Sequence, residues 1–94
     1  MTMQYLAGEL SACLQRLQAV TAPSGAAQIS ELRYEVEACP PAWLAAAMRR
    51  AVLLADRVCW DSLSRGDVIS FARQAAVSAD LRQFGVCARL LEDC

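Results

Sequence analysis

The chain has 94 residues, enough for one domain with a modest core. Its net charge is −1, and all nine basic residues are Arg, scattered except for Arg49-Arg50. No basic stripe suits nucleic acid and no polybasic run suits an anionic membrane. His and Lys are both missing. That removes His-activated nucleophiles, Schiff-base lysines and the P-loop lysine, and no residue spacing suits a metal, so the reading is a non-enzyme with no cofactor.

Hydrophobic residues make up 56% of the chain, and eighteen residues are Ala, the strongest helix former. The excess argues first for helices in close contact and second for an exposed apolar face. No cation precedes Arg16, no signal-type hydrophobic region opens the chain, and no run nears the ~18 apolar residues of a membrane span. A soluble, cytoplasmic protein is expected. The five cysteines (13, 39, 59, 87 and 94) are odd in number and never spaced as Cys-x-x-Cys, which points to thiols rather than a disulfide framework.

Thr2 can cap a first helix over Met3–Val20. Met3, Leu6, Leu10, Cys13, Leu17 and Val20 recur at spacings of 3 and 4, with Leu14 beside them, which predicts an apolar seam for antiparallel packing. Thr21 to Gly25 breaks the pattern. A second helix, capped by Ser24 and ending near Ala38, carries Ile29, Leu32, Val36 and Cys39 at the same spacing. Its other sides carry an acidic group and an Arg33–Glu37 pair at i,i+4.

Pro40-Pro41 starts a third helix that runs to Leu63 without an internal Gly or Pro. Leu44, Met48, Ala51, Ala55 and Val58 form one stripe. Val52, Cys59 and Leu63 widen it, while Trp43, Leu53, Leu54 and Trp60 lie off it. A helix apolar on most sides is normally covered on most sides. Asp61 and Arg65 stand at i,i+4. Gly66 suits a left-handed helix stop and Asp67 suits the next N-cap, with Ser70 at N3. The fourth helix is expected over Val68–Gln83, with Val68, Phe71, Ala72, Ala75, Ala79 and Phe84 as its inner face and Val77 and Leu81 towards the other side. Phe84-Gly85 is expected to end it, followed by a short helix over Val86–Glu92.

The fold class is therefore all-α: a four-helix antiparallel hairpin array or bundle with a short C-terminal helix. The hairpin at 41–84 resembles one tetratricopeptide-type repeat, through its apolar first helix, Gly-Asp turn and second helix with Phe71, Ala75 and Ala79 inside. The aromatic residue this family places late in the first helix falls near Ser62, and no period repeats through the chain. In size, hairpin pattern and acidity the chain is similar to the helical co-chaperones of type III secretion needle subunits. That resemblance implies a chaperone-like role for this chain.

The wide apolar girth of the third helix and its two tryptophans point to a protein-binding module that shields an amphipathic helix of another chain. Trp43, Arg50, Leu53, Leu54, Arg57 and Trp60 are the candidate partner-binding residues. One alternative is a self-associating dimer, the partner then being a second copy, with its seam on the first helix. Another is a helix-turn-helix regulatory domain, against which stand the few basic residues of the fourth helix (Arg73, Arg82) and a pI near 5.2.

Overall fold

The computed structural model describes the backbone of residues 2–38 and 43–93 and the side chains of 5–38 and 43–85. Four helices account for almost all of it: α1 (Thr2–Ala19), α2 (Pro23–Ala38), α3 (Leu44–Ser64) and α4 (Val68–Asp93). The expected starts at Pro40-Pro41, the Cys39 position, Cys94 and the side chains of Thr2, Met3, Val86, Cys87, Leu90 and Leu91 lie outside the described residues.

Each helix packs antiparallel against the next, and α4 returns to α1. Paired contacts give the direction. Gln18 and Ser11 of α1 meet Arg33 and Glu37 of α2, and Ser62 and Asp56 of α3 meet Gln74 and Ser78 of α4. Arg16 of α1 reaches Asp80 of α4 at 2.8 Å, and Arg50 of α3 pairs with Glu35 of α2. The result is an up-down-up-down bundle whose α1 also touches α3 across the diagonal. At ~1.5 Å per residue the 26-residue α4 is ~39 Å long, which matches the 42 Å long dimension.

The core is the seam that the 3,4 spacing selects. Leu6, Leu10, Cys13, Leu14 and Leu17 of α1 meet Ile29, Leu32 and Val36 of α2 and Leu44, Met48, Ala51, Ala55 and Val58 of α3. Cys13 and Cys59 are buried free thiols, and burial pushes both up in pKa. They act there as small hydrophobes.

Two expectations for α4 are corrected. First, the helix does not stop at Phe84-Gly85 but continues unbroken to Asp93, so there is no separate short C-terminal helix. Glycine costs an α-helix only about 1 kcal/mol, which is too little to stop a long helix. Second, its faces are reversed. Val77 and Leu81 are the buried pair, at 5% and 0% exposure, while Val68 is 64% exposed. Ala72 and Ala79 face solvent, and Phe71, Ala75 and Phe84 are half-buried.

The reversal has a cause in two polar residues. Gln74 and Ser78 lie on the inward stripe with Val77 and Leu81, and both are buried because each finds partners. Gln74 Nε2 donates to the Val20 carbonyl at 3.0 Å, and its Oε1 accepts from Ser62 Oγ at 2.7 Å. Thr21 Oγ1 in turn donates to the Leu17 carbonyl at 2.6 Å. A polar tie thus joins α1, α3 and α4 at the end of the bundle where the α1–α2 and α3–α4 turns lie.

The α3–α4 turn follows the predicted chemistry. Gly66 is left-handed at φ +75°, its N–H donates to the Leu63 carbonyl, and the Asp67 N–H donates to the Ser62 carbonyl at 2.9 Å. This is a Schellman stop. Asp67 Oδ1 accepts from the Ser70 N–H at 3.1 Å and caps α4. Among the described residues, no helix is long and apolar enough to cross a membrane.

Candidate functional site

The buried stripe of α3 (Leu44, Ala47, Met48, Ala51, Ala55, Val58, Cys59 and Ser62) takes up one side of the helix. At 100° per residue, Leu53 and Trp60 point the opposite way, one above the other at i,i+7. Only α2 and α4 flank α3 closely, with α1 behind the core, so nothing in the bundle covers this outer side. Trp43 and Leu53 are each 68% exposed and Trp60 is 67% exposed.

Between α3 and α4, next to this stripe, runs a groove of about 370 Å³. Its α3 wall is Cys59, Trp60 and Leu63, and its α4 wall is Phe71, Ala75 and Ala79. The alanines keep the α4 wall low, which leaves the groove open beside the indole. At one side the Asp56 carboxylate accepts from Ser78 Oγ at 3.2 Å and from Arg82 Nη2 at 2.5 Å. The charges at the edge of the groove therefore neutralise each other. Val68, 64% exposed at the start of α4, carries the apolar surface towards the turn.

The six residues singled out from the sequence do not form one cluster. Leu53 and Trp60 share the outer face, and Trp60 lines the groove. Arg57 is exposed beside them. Leu54 is half-buried and packs against the core, and Arg50 is engaged with Glu35 of α2. Trp43 is exposed at the start of α3, where it precedes the helix without a side-chain capping bond. The α4 wall is absent from these six because helical spacing predicts Phe71, Ala75 and Ala79 inside the bundle. The signal that identifies them is the competing stripe of Gln74, Val77, Ser78 and Leu81, which holds two branched aliphatic side chains at i,i+4.

A second hollow, of about 280 Å³ and polar, lies at the turn end, where Thr21, Arg65, Ser70 and Arg73 surround the Gln74 tie. Among the described residues, no three Cys, Asp or Glu side chains gather closely enough to hold a metal ion.

No protein-family model, curated protein or solved structure matches the chain.

Proposed function

We propose that this protein is a protein-binding module, chaperone- or adaptor-like, that seats an amphipathic helix of a partner chain along the outer face of α3 and α4. The observation that carries the reading is Trp60: a large indole, 67% exposed, forming the wall of an apolar groove between two helices. Covering a large apolar side chain contributes roughly 1.5–3 kcal/mol when burial is complete. Trp60, Leu53 and Leu63 offer three such surfaces, enough to anchor a helix by its i, i+3/i+4 and i+7 residues. The similarity in size, hairpin pattern and acidity to needle-subunit co-chaperones also implies a chaperone-like role. The free thiols of Cys13 and Cys59 support a reducing, cytoplasmic setting.

The test uses a Trp43→Phe background, in which Trp60 is the only indole. A hydrophobic fluorescent dye is expected to bind the folded protein, and an added amphipathic helical peptide is expected to displace the dye and shift Trp60 emission to the blue. A folded protein that binds no dye, with Trp60 emission indifferent to the peptide, would overturn the reading.

A further inference from the structure

The charges around the docking face are not balanced, and the imbalance identifies the guest. Along α3, Arg49, Leu53, Arg57 and Trp60 follow one another at spacings of 4, 4 and 3, so they form a single ridge on the outer side. The ion pairs among the described residues are Arg16–Asp80, Arg33–Glu37, Arg50–Glu35 and Arg82–Asp56. Arg49 and Arg57 belong to none of them, although Asp61 stands one turn beyond Arg57. Beside Trp60 the described part of the α4 margin adds no net charge: Ala72 and Ala76 are exposed there, and Arg82 is paired with Asp56. A chain of net charge −1 thus presents a locally positive edge beside two exposed large apolar side chains, Leu53 and Trp60.

We infer that the guest is an amphipathic helix of another protein with acidic residues along one flank, its apolar face on Leu53, Trp60 and the groove and its carboxylates against Arg49 and Arg57. The inference rests on the docking reading above and adds the chemistry of the partner. Arginine forms bidentate pairs with carboxylates, and charge complementarity of this kind selects partners and orients them. A second copy of the chain fits less well, because facing copies would bring a second Arg49 and Arg57 to the interface.

The experiment uses the full chain in the Trp43→Phe background and two synthetic amphipathic helices with identical apolar faces, one flanked by Glu and the other by Lys. Trp60 emission reads binding. The Glu peptide is expected to bind about tenfold more tightly at low salt, with the preference fading at high salt, as two exposed ion pairs would give. The overall negative charge of the chain would favour the Lys peptide, so the expected preference must come from the local edge. The double variant Arg49→Glu/Arg57→Glu, altered only at exposed positions, should reverse the order. Equal affinity for both peptides, unaffected by the double variant, would overturn the acidic guest and leave helix docking standing. No response to either peptide would overturn both. A wild-type dimer in sedimentation that becomes monomeric with Trp60→Ala would overturn the inference in favour of a second copy.

Discussion

Ser62 and Gln74 face each other across the α3–α4 contact, the hydroxyl donating to Gln74 Oε1 at 2.7 Å while both residues are almost wholly sealed from solvent, at 0% and 1% exposure. Gln74 spends its amide donor on the Val20 carbonyl of the α1–α2 turn. One side chain therefore holds three segments in register. Gln74→Ala should destabilise the protein by about 2–4 kcal/mol, combining a cavity with unsatisfied partners. In urea unfolding, a double-mutant cycle with Ser62→Ala should show coupling of about 1 kcal/mol. Additive effects would mean that the two residues stabilise the bundle independently.

The glycines of α1 and α2 should respond oppositely to alanine. A Cβ at Gly8 would meet nothing within 4 Å, whereas at Gly25 it would stand 2.9 Å from Thr21 Cγ2 and 3.3 Å from Val58 Cγ1. Gly8→Ala should stabilise by about 0.5–1 kcal/mol through helix propensity. At Gly25 the Thr21 methyl belongs to a side chain fixed by its bond to the Leu17 carbonyl, so Gly25→Ala should give no gain and a net loss. Thermal midpoints of the two variants check the pair.

Adjacent leucines on α3 should also separate. Leu54 packs against the core, and Leu53 is 68% exposed. Leu54→Ala should cost about 1–2 kcal/mol of stability, less than a fully buried leucine would. Leu53→Ser should stay within about 0.5 kcal/mol of wild type and weaken only helix binding, as should Trp60→Ala. Urea melts beside peptide titrations distinguish the two effects.

Asp67 gives the chain an acid-sensitive cap. Hydrogen bonds from the Ser70 hydroxyl, then from its backbone N–H, hold the Asp67 carboxyl below its ordinary value. A carboxyl depressed in the folded state adds stability above its unfolded pKa, near 4, and that stability fades as pH falls through the lower folded value. Asp67→Ala should lower the thermal midpoint at pH 7, and the gap to wild type should close in strong acid. A gap that does not change with pH would sink this assignment.

The buried seam was legible in the sequence wherever the inward stripe is purely apolar. Leu6 to Leu17, Ile29 to Val36 and Leu44 to Val58 all lie where their spacing predicts. The α3–α4 turn was legible to the residue, because Gly66 and Asp67 each do one thing that few residues can. The orientation of α4 was not. Its solvent stripe is richer in alanine than its core stripe, Phe71 and Phe84 are half-buried, and a polar residue reads as outward until its partners are known. Gln74 has partners only because Val20 and Ser62 arrive from distant parts of the chain. Half of the groove is obscured in the sequence for the same reason, since the α4 wall is made of residues whose spacing predicts them inside.

The linkage between α3 and α4 has a final consequence. Only Arg65, Gly66 and Asp67 separate the two helices, and hydrogen bonds across that turn leave it no slack. The cleft they border thus has a preset width. On the proposed docking, an incoming peptide would have to coil to fit a ready-made slot, and the loss of conformational freedom would fall on the visitor rather than the host.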